Sequence, residues 1–270
     1  STTPAPIHRY SFDGNGGIGS QVTDSIGGAH GVLLGSDGSA HNGTGQLNLG
    51  GGGSATAGYV DLPNGIVSGL TNATLEAWVT WDNSSQNWSR IFDFGDNTQG
   101  EVNGPGGGFS GNGGGADGYF FVTPGSGTGG NLLGGVYEPG PGEVQAIAGF
   151  RLSGGIEHQI GMIFDDTNDL MSIFVDGQIV ATTNIAGRSL SDILDINNWL
   201  GRSNFSGDEN FDGLFNEFRI YGAALNADQI LGNFFAGPNS LNLVPVPEPA
   251  TGLLGLLAFA ALGRRRRHAA

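Results

Sequence analysis

The chain has 270 residues, 52 of them glycine, and contains neither cysteine nor lysine. All ten basic residues are arginines, four of them at Arg264–Arg267, and only Glu248 of the 25 acids lies beyond residue 247, so residues 1–247 carry six arginines against 24 acids, a net of −18. This excludes a disulfide framework and thiol chemistry, and like-charge repulsion excludes nucleic acid and anionic lipid as partners.

The glycines follow no collagen period, and a hydrophobic content of 38% suffices for a core. Short apolar or alternating runs recur between Gly, Asn, Asp and Pro, the pattern of an all-β sandwich. In chain order the predicted strands are Ile7–Phe12, Gly31–Leu34, Gln46–Leu49, Tyr59–Leu62, Ala73–Trp81, Arg90–Gly95, Gly118–Thr123, Leu132–Tyr137, Ile156–Phe164, Leu170–Val175, Gln178–Asn184 and Phe211–Tyr221. Within Ala73–Trp81, Leu75, Ala77, Val79 and Trp81 fall on one face, with Glu76 and Trp78 on the other. The large ring of Trp78 implies that both faces are covered. Asp176-Gly177 between two β-rich runs predicts a type I′ hairpin. The one predicted helix spans 227–234, capped by Asn226 with Gln229 three residues on and ended by Gly237-Pro238. The glycine-saturated stretch 100–142 reads as long loops around two short strands.

The C-terminus has three ordered parts: Pro247, Glu248 and Pro249; an apolar run 250–263; and Arg264, Arg265, Arg266 and Arg267. The prolines end the preceding fold and hold the chain extended. The apolar run prefers hydrocarbon but is shorter than the roughly 20 residues of an ordinary spanning helix. The arginines stay on the cytoplasmic side of a membrane. Together the three parts resemble the PEP-CTERM sorting signal of Gram-negative bacteria that make exopolysaccharide. The resemblance implies export, cleavage by an exosortase-type enzyme, transient anchoring in the inner membrane, and delivery to the cell surface or extracellular matrix. It also implies that a signal peptide has been removed before Ser1.

The strings TLEAWVTW (74–81), RIFDFGD (90–96) and FDGLFNEFRIYGAALNADQI (211–230), with HRYSFDGNGG (8–17) and DSIGGAHG (24–31), are similar in order and type to the concanavalin-A-like, laminin-G-like jelly roll of bacterial surface proteins. The resemblance covers roughly residues 7–235 and implies two antiparallel sheets over 1–240, followed by a Pro-rich linker 241–249, a transmembrane segment 250–263 and a basic tail 264–270. It also implies a calcium ion held by Asp13, Asn15, Asp24, Ser25, Asn216 and Glu217; the family has Asp where this chain has Asn216. The residues leave a second reading open, in which Asp24-Ser25 makes an Asx-turn and Glu217 is hydrogen-bonded between strands. Asp208-x-Asn210-x-Asp212-Gly213 opens like an EF-hand loop but lacks the final glutamate, with Arg219 in its place.

This fold hosts lectins, adhesion modules and glycosidases, so function rests on the site. A glycosidase needs two carboxylates flanking the scissile bond, and no Glu-x-Asp-x-Glu string occurs; Glu76 stands alone among apolar neighbours. The histidines lack zinc spacing, and no Gly-x-Ser-x-Gly is present. The chain therefore reads as a binding protein for polysaccharide or another surface protein and not an enzyme, the alternatives being a glycoside hydrolase or lyase of the same fold, or a structural matrix protein. Sugars stack on rings, and Trp88 and Tyr137, at strand edges beside the Gly-rich loops, are the expected carbohydrate-binding residues.

Overall fold

The computed structural model describes residues 2–82, 86–104, 118–127 and 130–240. The sorting signal, the apolar run and Arg264–Arg267 lie outside the described residues, so the expected tail helix and transmembrane segment do too. Among the described residues no helix is long and apolar enough to cross a membrane.

Sixteen strands and one helix follow in order: β1 (His8–Tyr10), β2 (Gln21–Val22), β3 (Gly31–Leu34), β4 (Ala40–His41), β5 (Leu47–Gly53), β6 (Tyr59–Leu62), β7 (Asn72–Trp81), β8 (Phe92–Gly95), β9 (Tyr119–Thr123), β10 (Leu133–Glu138), β11 (Gly142–Ile147), β12 (Glu157–Asp165), β13 (Leu170–Val175), β14 (Gln178–Asn184), β15 (Asn197–Leu200), β16 (Glu209–Tyr221) and α1 (Ala227–Ala236). They form two antiparallel sheets. The back sheet runs β14-β13-β12-β7-β16-β5-β4, with β1 also paired to β16; the front sheet runs β11-β10-β9-β8-β15-β6-β3-β2. This is the expected jelly-roll sandwich.

Alternation within each strand builds the core. On β7, Leu75, Ala77, Val79 and Trp81 point inward to meet Phe92, Phe94, Phe120 and Val122 of the front sheet, all fully buried. Phe92, Phe94 and Phe120 pack at ring-centroid distances of 5.5–6.1 Å in edge-on geometry, and Phe218 closes the group from the back sheet. The outer face of the back sheet is also covered: Ile163, Phe174 and Tyr221 pack against Leu225 and Ile230 under α1.

Asp176 and Gly177 both adopt positive φ, 47° and 79°, as the type I′ turn requires. The helix has the full capping box: Asn226 accepts from the Gln229 amide and Gln229 accepts from the Asn226 amide, each at 3.0 Å. It extends to Ala236, two residues past the prediction, before Gly237 closes it. Glu76 requires a correction: it is not alone, since Gln159, Tyr221, Asn233 and Arg219 all reach its carboxylate.

Candidate functional site

The front sheet's outer face carries a cavity of about 450 Å³. Strand register explains it. Phe120 and Val122 of β9 face the core, so Tyr119 and Phe121 face outward. One transverse row across the outer face is Asp61, Trp199, Asp93, Phe121, Gly135 and Gln145; the next holds Tyr119, Tyr137 and Glu143. Gly135 is needed within the first row, because a Cβ there would lie 2.9 Å from the Phe121 ring.

The cavity is lined by Trp88, Arg90, Tyr119, Phe121, Tyr137, Glu143, Phe205 and Asp208. Tyr119 and Tyr137 stack at 5.1 Å with 17° between planes, Tyr119 buried and Tyr137 partly exposed. Phe205 meets Tyr119 edge-on at 5.4 Å. Burial pushes the Tyr119 hydroxyl well above its ordinary range and the neighbouring Glu143 adds to it, so Tyr119 stays protonated and donates to Glu143 Oε2 at 2.8 Å. Gln145 donates to the other oxygen of Glu143.

Arg90 forms the base. Its guanidinium lies over the Phe121 face at 4.1 Å from the centroid and over Trp88 at 5.6 Å. Nε pairs with Asp93 and Nη2 with Asp208, each at 3.2 Å, while Nη1 donates to the Trp88 carbonyl. Asp93 is fully buried, and burial pushes its carboxyl up against the pull of Arg90; Asn204 donates to both of its oxygens, from its backbone at 3.0 Å and its side chain at 2.9 Å. Burial likewise pushes Asp208 up, while Arg90 and the Ser203 hydroxyl, at 2.8 Å, hold its charged form. The single loop between β15 and β16 thus supplies Asn204 beneath the cavity and Phe205 and Asp208 at its wall.

Trp88 sits at φ 61°, a left-handed conformation rare for a bulky side chain and strained by about 1–3 kcal/mol. Two contacts hold it there: its amide donates to the Gly125 carbonyl at 2.9 Å, and Arg90 takes its own carbonyl.

The structure therefore brings the two expected carbohydrate-binding residues, Trp88 and Tyr137, to one cavity. Arg90, Tyr119, Phe121, Glu143, Phe205 and Asp208 join them there, and the only local signal for the group was the Tyr119, Phe121 alternation. Trp199 shares the outer face but is buried, donating to Asp61 at 2.9 Å beneath the guanidinium of Arg202.

The six expected calcium ligands do not form a cation site. Asp24 accepts from the Arg9, Ile26, Gly27 and Ala29 amides and pairs with His8 at 2.7 Å. Glu217 is clamped by Arg9 and Arg219, each at 2.6 Å, so its charge is already neutralised. Asn216 bonds to Glu157 and Asn239 on the neighbouring surface, and Ser25 donates to the Arg9 carbonyl. Asp13 and Asn15 are exposed beside Gly45 and Gly43 of another loop. Among the described residues no three His, Cys, Asp or Glu side chains are placed to hold a metal ion. Calcium needs six to eight free oxygens, and these residues do not fit it. The EF-hand-like string is equally committed: Asp208 pairs with Arg90, and Asn210 donates to the Ala57 and Gly58 carbonyls.

Asp24 instead organises the Asx-turn. Burial alone raises its carboxyl, but the Arg9 amide, the His8 side chain and the Ile26 and Ala29 amides outweigh this and hold it at about 2, below its ordinary 3.8. A depressed acid contributes stability that is complete above its unfolded value and lost as pH falls through its folded one. Asp24→Asn should therefore cost about 2 kcal/mol at neutral pH, with the gap to wild type closing as pH falls from 3.8 to about 2 in urea titrations. A pH-independent gap would show that the charge plays no part.

Comparison with known proteins agrees with this architecture. Residues 52–231 match the family model described as the concanavalin A-like lectin/glucanases superfamily, and the chain belongs to that superfamily. Residues 245–267 match the PEP-CTERM protein-sorting motif, which marks export and surface sorting in Gram-negative bacteria. Among curated proteins none matches the sequence. Solved structures share the fold at low identity. Domain 4 of AbnA, an extracellular GH43 arabinanase of Geobacillus stearothermophilus solved with arabinotriose, superposes with a TM-score of 0.60 at 18% identity, covering 85% of this chain and 98% of that one. The CBM40 of the Ruminococcus gnavus IT-sialidase gives 0.52 at 18%, covering 69% and 96%. The binding domain of botulinum neurotoxin DC, in complex with rat synaptotagmin II, gives 0.59 at 12%, covering 85% of this chain and 51% of that one.

Proposed function

We propose that this is an exported surface protein that binds carbohydrate in the front-sheet cavity, with a jelly-roll domain over 1–240 and a removable sorting tail. The observation that carries the reading is an aromatic cavity in which the partly exposed Trp88, Tyr137 and Phe205 surround the buried Tyr119 ring, edged by Glu143 and Asp208. Rings of this kind cover the apolar face of a pyranose or furanose, while the carboxylates at the edge accept from its hydroxyls. The superposing arabinanase domain and CBM40 support the same reading.

Binding without turnover fits the carboxylates. Asp93 and Asp208 share Arg90, and Glu143 is engaged by Tyr119 and Gln145, so the cavity presents no pair of carboxyls poised as acid and nucleophile. In the sorting tail, an exosortase-type enzyme cuts at Pro247–Pro249 after the apolar run has held the chain in the inner membrane. The domain is then delivered to the cell surface or matrix.

Trp88→Ala and Tyr137→Ala should each weaken retention on a glycan array by about tenfold or more, with the melting midpoint held near wild type. Release of reducing ends by the wild-type protein would move the assignment to a hydrolase or lyase. Absence of retention on every glycan would favour a structural spacer.

A further inference from the structure

The charge arrangement around the cavity goes further than ring stacking. Each nitrogen of Arg90 already has a partner, Asp93, Asp208 or the Trp88 carbonyl, so the cation that lines the cavity among the described residues is bound to the protein's own acids. Two carboxylates share that single positive charge, and Glu143 adds a third on the exposed rim. The cavity is therefore net negative. None of the remaining arginines of the described residues lines the cavity. Arg9 and Arg219 pair with Glu217, Arg188 donates to the Pro141, Gly142 and Ile185 carbonyls, and Arg202 donates to the Gly104 carbonyl over the Tyr59 and Trp199 rings. Arg151, the nearest along the chain to the Trp88 loop, donates to the Gln86, Gly127 and Gly130 carbonyls. Residues 83–85, 105–117 and 128–129 contain no arginine, Arg264–Arg267 belong to the removable tail outside the described residues, the chain has no lysine, and among the described residues no histidine lines the cavity.

We infer that the cavity ranks sugars by charge, preferring those with a protonated amine, accepting neutral ones, and turning away uronates and sialates. The inference rests on the carbohydrate reading above. A ligand carboxylate entering here meets Glu143 and Asp208 in a partly desolvated wall whose cation is already shared by two carboxylates, and the like-charge contact opposes stacking on Tyr137 and Trp88. A ligand ammonium finds the same two carboxylates as acceptors and the faces of Tyr137 and Trp88 for cation–π contact. The charge of the whole domain acts in the same direction at longer range.

The test is a glycan array, read with the full-length protein, whose members carry protonated amines, no charge or carboxylates. Titrations with oligomers of chitosan, cellulose and polygalacturonate accompany it. Amine-bearing members should bind at least about tenfold more tightly than carboxylate-bearing ones, and the ratio should shrink as salt screens it. Glu143→Gln should lower the amine-to-neutral ratio, since it removes the rim charge and keeps an acceptor for Tyr119. Uronate or sialate glycans bound as well as the others, or a ratio unmoved by salt and by Glu143→Gln, would overturn this inference and leave the carbohydrate reading standing. No retention of any class would remove both.

Discussion

Arg90→Ala is expected to destabilise the domain by about 3–5 kcal/mol, because it leaves Asp93 ionised and without a counter-charge inside the front sheet. Asp93 has no exposure to recover solvation, and burial already pushes its carboxyl upward. Asn204 remains as a donor to both oxygens but supplies no positive charge. Asp208 loses the same partner, and the Trp88 carbonyl loses the donor that helps keep Trp88 at positive φ. The cavity should therefore open at the Trp88 side as stability falls, so glycan affinity and urea midpoint decline together. Arg90→Lys keeps a charge but cannot reach three acceptors from one planar group, and should recover only part of the loss. Adding Asp93→Asn to Arg90→Ala removes the stranded charge and should restore a measurable share, which a double-mutant cycle reads directly. A loss below about 1 kcal/mol for Arg90→Ala would mean that the pair is solvated and peripheral.

Much of this fold was legible in the sequence because its signals are local. The hairpin at Asp176-Gly177 is set by two residues that tolerate positive φ, and the α1 cap by Asn226 and Gln229, so both appear as expected. β3, β6, β13 and β14 have the predicted bounds, since each apolar run is bracketed by turn residues. β15 escaped notice because Asn197 and Asn198 are poor strand formers; their side-chain amides donate to the Gly100, Pro63 and Asp195 carbonyls, partners far away in sequence or hidden in a turn. β11 begins inside the glycine-rich region, and its pairing with β10 supplies what its composition does not announce. For the site, Trp88 and Tyr137 stood out as rings beside Gly-rich loops. Arg90, Glu143, Phe205 and Asp208 were invisible as a group because they come from three segments far apart in sequence that only the fold brings together. The calcium motif positions were legible in the same way, but their partners were not: Arg9 and Arg219 reach Glu217 from β1 and from its own strand.

The buried network on the outer face of the back sheet yields the second large expectation. Register places Arg219 opposite Glu76 and Glu217 opposite Trp78, so the guanidinium covers the Trp78 ring at 4.4 Å while pairing with Glu217 at 2.6 Å and Glu76 at 3.5 Å. Both glutamates are fully buried. Burial works against the charge on Arg219, but Glu76, Tyr221 and Glu217 outweigh it. Burial raises Glu76, opposed first by Arg219 and then by the side chains of Gln159, Asn233 and Tyr221. Arg219→Met retains the stacking volume over Trp78 and removes the charge, which should cost about 3–5 kcal/mol at neutral pH. The sign of the pH dependence follows from Glu76. Its carboxyl is raised in the folded state, so the native chain binds more protons than the unfolded one, and stability falls as pH rises through that interval. Losing Arg219 raises the carboxyl further and steepens the fall, so the penalty of Arg219→Met should be smaller at about pH 4 than at about pH 7. Glu76→Gln in the same background should recover part of the neutral-pH loss, because it removes the stranded charge while Glu217 keeps Arg9. Urea midpoints for the three chains at both pH values test this, and an equal penalty at both would show that lost packing over Trp78, not the stranded Glu76 carboxylate, sets the cost.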